Sequence, residues 1–150
     1  SGTDRVALSN LDFQDVFLVR GAEGNYHRWL LNAGGNYHGF LLSTANVFAA
    51  QLNALLEMLD IGQSDKAVIL SGRITRVIEG CFKLVEGFPA GNIFTNANKL
   101  LDHFMAFGEE GLHREPPMLY SGVHLPAICI ENAADLLRQE KLFPVSGYMS

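Results

Sequence analysis

The chain has 150 residues, of which 48% are hydrophobic and 18% charged, with a formal net charge of −5. That is too apolar for a disordered chain, its fifteen glycines follow no collagen-like period, and no apolar run approaches the ~20 residues that span a bilayer. The length suits one domain, and a charged share below the usual ~25% leaves apolar surface for a second copy to cover.

In chain order, Val16-Phe17-Leu18-Val19 is a short apolar run closed by Gly21 and reads as a strand. Tyr26 to Asn32 and Tyr37 to Ser43 flank Ala33-Gly34-Gly35, the pattern of a hairpin loop in which glycine supplies positive φ. With a three-residue loop, Trp29 lies opposite Gly39 and Leu31 opposite Tyr37. From Thr44 to Leu59 the period changes: Phe48, Leu52, Leu55, Leu56 and Leu59 form one helical stripe, with Ser43 or Thr44 as cap and Gly62 as stop. Ala67 to Leu70, Arg73 to Ile78, Cys81 to Val85 and Asn92 to Phe94 read as further strands, separated by Ser71-Gly72 and by the loop Phe88 to Gly91. A second helix is expected over Asn96 to Phe107, with Ala97, Leu100, Leu101 and Phe104 inward, Lys99, Asp102 and His103 outward, and Thr95 or Asn96 as cap. Residues 108–126 form a long irregular segment suited to binding or to wrapping a neighbour. A strand over Ala127 to Ile130 and a helix after Asn132, ended by Pro144, complete the chain.

The halves echo each other. Val16 to Gly21 resembles Ala67 to Gly72, and Ser43 to Asn46 resembles Thr95 to Asn98. The expected fold is therefore α+β: one domain with two tandem units, 12–60 and 64–108, each an antiparallel sheet followed by a helix, plus a C-terminal extension, 109–150, with a strand and a helix.

Gly24-Asn25-Tyr26-His27 recurs as Gly35-Asn36-Tyr37-His38. On strands, this places Tyr26, Arg28, Trp29, Tyr37, His38 and Phe40 on a sheet surface, where rings stack bases and cations track phosphates. Arg73, Arg76 and Lys83, in the basic stretch 66–83, extend that set, while the net charge of −5 opposes strong phosphate binding. His27 and His38 are an alternative metal or ligand pair with Asp15 or Glu23, although two histidines without a clustered third ligand are a weak signal. Cys81 and Cys129 sit in apolar runs without a Cys-x-x-Cys spacing, the pattern of buried thiols in the cytoplasm or another reducing compartment. No nucleophile elbow or phosphate-cradling glycine loop is present, so the residues predict neither a cofactor nor a catalytic group.

Phe17-Leu18-Val19, Gly24-Asn25-Tyr26, Gly34-Gly35-Asn36 and Phe40 to Ser43, leading into the Phe48 to Leu59 stripe, resemble a PUR or Whirly repeat, a family of twice-repeated four-stranded sheets each followed by a helix. The resemblance covers about a third of the chain well and the second unit loosely. It implies single-stranded RNA or DNA as partner and assembly as a dimer or higher oligomer; the acidity and the tail after Phe107 depart from it. The expected function is a non-catalytic oligomeric binding protein, with a protein–protein assembly role as its rival and a small ligand-binding protein or enzyme using His27 and His38 as a third reading.

Overall fold

The computed structural model describes residues 4–5 and 15–150. Contacts divide the chain into two compact units, Ser1–Gly72 and Arg73–Ser150. The start of the first expected repeat, residues 12–14, lies outside the described residues.

The first unit opens on strand β1 (Val19–Arg20), followed by 3-10 turns at Tyr26–Arg28 and Leu31–Ala33 and by strand β2 (Gly39–Phe40). The two strands pair in parallel, Val19 with Gly39 and Arg20 with Phe40. A parallel pair needs a crossover between its strands, and the two 3-10 turns supply it. The expected hairpin is therefore absent: Tyr26 to Asn32 is not a strand, although the Leu31 N–H does bond the Tyr37 carbonyl at 2.9 Å. The reversal at 33–35 is tight. Gly34 has φ +79°, and a Cβ on Gly35 would lie 2.1 Å from the Trp29 carbonyl oxygen. The glycine signal marked the turn correctly, while the strand beyond it, β2, pairs with β1 instead of folding back on Tyr26 to Asn32.

Helix α1 (Ala45–Asp60) comes soon after β2 and buries Val47, Phe48, Leu52, Leu55 and Leu59. This is the expected stripe, with Leu56 half-buried against Leu30 and Tyr37. Neither Ser43 nor Thr44 caps it through a side-chain bond. The Glu23 carboxylate does so from a distance, accepting from the Thr44 N–H at 3.1 Å and the Ser43 hydroxyl at 2.9 Å.

Helix α2 (Ser64–Val85) replaces three expected strands. Ala67, Ser71, Ile74, Ile78, Cys81 and Val85 are buried at steps of four and three, one face of a helix. Val68 and Ile69 are exposed, which a strand buried on both faces would not allow. Residues 67–72, expected to repeat the strand at 16–21, are thus helical, and the two sheet-plus-helix units are not formed.

In the second unit, α3 (Ile93–Phe107) starts three residues before the expected Asn96. Asn92 is its cap, accepting from the Thr95 N–H at 2.9 Å. Ala97, Leu100, Leu101 and Phe104 are fully buried as expected. His103 is buried too, contrary to expectation: its Nε2 pairs with the Gly111 carbonyl at 2.8 Å, and its ring packs edge-on to Phe104 and Phe107. A 3-10 segment (Gly108–His113) leads to a short hairpin bridged at Met118 and His124. Helix α4 (Ala127–Gln139) absorbs the expected C-terminal strand. Cys129, Ile130, Ala133, Ala134 and Leu137 recur on one helical face, so the Ala127 to Ile130 run is the first turn of a helix that begins just after Pro126. The described residues are therefore mostly helical, with the two short parallel strands as their only sheet. Their fold is not the expected pair of antiparallel sheets.

Candidate functional site

Chemistry in the first unit gathers around the β1–β2 pair. Alternation along the strands puts Leu18, Arg20, Phe40 and Leu42 on one face and Phe17, Val19, Gly39 and Leu41 on the other. On the first face, Arg20 is buried. Its Nε bonds Asp4 Oδ1 at 3.0 Å, and its Nη1 bonds the carbonyls of Ala22 and, at 3.0 Å, Gly24. The guanidinium lies 4.3 Å above the Trp29 ring. The Tyr37 hydroxyl donates to the same Asp4 oxygen at 2.9 Å. Burial raises the Asp4 carboxyl, but the hydrogen bonds from Arg20 and Tyr37 outweigh it and hold the group below its ordinary value. Burial, and then Asp4, push the Tyr37 phenol up. Just beyond the strands, Glu23 joins the Tyr26 hydroxyl (2.8 Å) to the start of α1, and burial with the Glu23 charge raises the Tyr26 phenol.

The residues expected to form an aromatic and basic surface take several different positions. Tyr26 is fully buried, edge-on to Phe40 at 6.0 Å. Tyr37 is buried beside a half-buried Trp29, at 6.3 Å. The Trp29 ring carries two guanidiniums, Arg20 and, at 4.8 Å, the exposed Arg28. His38 is exposed and stacks on Phe17 at 4.9 Å. In the second unit, Arg76 is held by both oxygens of Glu140 at 2.7 Å, and Arg73 is half-buried. Lys83 is exposed at an open cleft of about 370 Å³ between α2 and α4, whose opposite wall carries Asn132 and Asp135. Trp29, Tyr37 and Arg28 are thus brought together, while Tyr26 packs on Phe40 and His38 on Phe17.

His27 does not meet His38 as a ligand pair. Its Nδ1 lies 3.0 Å from the Ser71 hydroxyl, and its N–H donates to the same oxygen at 3.3 Å. Burial, assisted by Arg28, lowers the imidazole below its ordinary value. The pair resembles a nucleophile and its base, but Ser71 is fully buried on α2 and out of a substrate's reach. Among the described residues, no group of three or more His, Cys, Asp or Glu side chains is placed to hold a metal ion. Cys81 and Cys129 are free and buried, and burial pushes the Cys81 thiol up to about 12, so it is not an activated nucleophile. No helix among the described residues is long and apolar enough to cross a membrane.

Asp4 and Arg20 escaped the sequence reading. A buried ion pair between residues sixteen positions apart leaves no local periodicity, and Arg20 closes an apolar run in the manner of a strand end. The opposite face of the strand pair also went unread: Phe17, Val19 and Leu41 are large, apolar and exposed. In comparisons with known proteins, no family model, no curated protein and no solved structure matches this chain.

Proposed function

We propose that this chain is a non-catalytic assembly protein that self-associates through the open face of its parallel strand pair. One observation carries the proposal. On one face of that pair, Arg20 and Leu42 are buried, while on the other Phe17, Val19 and Leu41 remain 68%, 44% and 73% exposed. Parallel strands are ordinarily covered on both faces, and an exposed apolar cluster on a strand pair marks a contact surface. Gly39 lies between Phe17 and Val19 and leaves a shallow seat, since a Cβ there would meet Phe17 Cε1 at 3.6 Å and Val19 Cγ1 at 3.8 Å.

A second copy is the occupant that suits the chemistry. Phe17, Val19, Gly39 and Leu41 carry no charge, so two copies at net −5 meet where repulsion is least. A two-fold axis presents the same patch from both sides. Sedimentation at tens of micromolar tests this. The expected result is a dimer for the native chain and a monomer for the Phe17→Ser/Leu41→Ser double variant, with helical content unchanged and association weakened at least tenfold, about 1.4 kcal/mol. A native chain that sediments as a monomer, or a double variant that still dimerises, overturns the proposal. Single-stranded nucleic acid as a partner draws, within the first unit, on the exposed Arg28 and His38, and quenching of the sole tryptophan, Trp29, by an oligonucleotide at low salt reports on it.

A further inference from the structure

We infer that Arg20, Tyr37 and Trp29 form a receptor for one carboxylate group, which Asp4 fills in cis. This is independent of self-association, because the cluster lies on the other face of the strands.

The donors are held in place by groups other than Asp4. Arg20 is on β1, anchored by the carbonyls of Ala22 and Gly24 and by the Trp29 ring. Tyr37 is anchored by main-chain bonds, its N–H donating to the Trp29 carbonyl at 3.0 Å and its carbonyl accepting from Leu31 at 2.9 Å, and by packing against Leu30. With those anchors, a guanidinium and a phenol converge on one point inside the unit: Asp4, Arg20 and Tyr37 are 2%, 6% and 6% exposed. An aimed pair of donors beside a cation is the chemistry that recognises a carboxylate.

Two features point to exchange beyond a fixed structural pair. Both donors fall on the same Asp4 oxygen, Oδ1, although the planar fork of a guanidinium is built to take both oxygens of a carboxylate. The second feature is the Trp29 indole N–H. It is buried, and no acceptor for it exists among the described residues, although Arg20 covers the same ring. Buried N–H groups are nearly always paired. The indole N–H is thus a further donor left open on the ring that Arg20 covers. The ligand class is a small carboxylic acid or a peptide C-terminus.

The probe is sodium acetate, against sodium chloride at equal ionic strength, on the native chain, on Asp4→Ala and on Asp4→Asn. The readouts are Trp29 fluorescence and the melting temperature. In the Asp4→Ala chain, acetate is expected to change the fluorescence saturably in the millimolar range and to raise the melting temperature, while chloride does neither. The native chain, already filled, responds at least tenfold more weakly. Adding Tyr37→Phe to Asp4→Ala weakens the acetate response. If Asp4→Ala does not fold in chloride, recovery of the fold in acetate supports the receptor, and failure to recover overturns it. Asp4→Asn keeps the shape of Asp4 and tests the charge alone. An equal response to acetate and chloride, or equal responses of native and variant chains, overturns the inference. A tripeptide with a free C-terminus, set against its amide, separates the two sources: tighter binding than acetate identifies a peptide terminus, and equal binding a free acid.

Discussion

At the scale of single residues, the groups that matter most are those the chain hides. Asp4 is ionised inside the first unit because Arg20 and Tyr37 both donate to it. Its folded value lies below that of an unfolded carboxylate, so the folded chain holds the proton less tightly. Stabilisation is therefore present above the unfolded value of about 3.9 and is lost as pH falls through the lower folded value. The difference in melting temperature between the native chain and Asp4→Asn is expected to hold steady from neutral pH down to about 5 and to close below about 4. A difference that widens in acid contradicts the assignment. Of this cluster, Tyr37 and Trp29 stood out in the sequence as a base-stacking surface, because aromatic residues next to Gly-Asn turns are conspicuous, yet Tyr37 is buried. Arg20 and Asp4 did not stand out, since nothing in local spacing reveals which distant carboxylate a buried guanidinium meets. Tyr26 and His103 show the converse: polar-tipped rings that read as surface residues are buried, the Tyr26 hydroxyl donating to Glu23 and the His103 ring pairing with the Gly111 carbonyl.

At the scale of elements, α1 and α3 were legible and α2 was not, and the reason lies in composition. In α1 and α3 the apolar residues recur every three to four positions with polar residues between, so only a helix separates them onto faces. In α2 the runs Val68-Ile69-Leu70 and Val77-Ile78 are rich in β-branched residues and interrupted by Ser71-Gly72, local features of strands and turns. The longer period was present all the same, in Ala67, Ser71, Ile74, Ile78, Cys81 and Val85, and burial obeys it. Two substitutions distinguish the helix from the strands. Ile74→Ala removes a fully buried side chain and is expected to cost about 2–5 kcal/mol, while Ile69→Ala, on the exposed face, costs no more than about 0.5 kcal/mol. Urea denaturation measures both, and comparable losses at the two sites overturn the helical register. The β1–β2 pair was misread for a related reason: short apolar runs around Gly34-Gly35 satisfy a hairpin locally, and only the partner of β2 separates that from a parallel crossover.

At the scale of the whole molecule, the scarcity of charge is the property with a consequence for association. The charged share of 18% leaves few ions to hydrate the surface, and the exposed face of Phe17, Val19 and Leu41 is without them. Association through such a face is apolar, so salt does not screen it. Raising the salt concentration is expected to leave the proposed dimer intact or tighten it, because screening also relieves repulsion between chains of like net charge. Sedimentation across a salt series checks this, and dissociation at high salt points instead to an interface held by ion pairs. Composition, the apolar stripes of α1 and α3, the turn at Ala33 to Gly35 and the burial of both cysteines were determined by the amino-acid sequence alone, because each depends on local spacing or on solvation of a single side chain. The helical state of 64–85, the parallel pairing of β1 with β2, the burial of Tyr26 and Tyr37 and the meeting of Asp4 with Arg20 were decided only in the tertiary structure. Each is a choice among partners of similar local propensity, made by distant contacts.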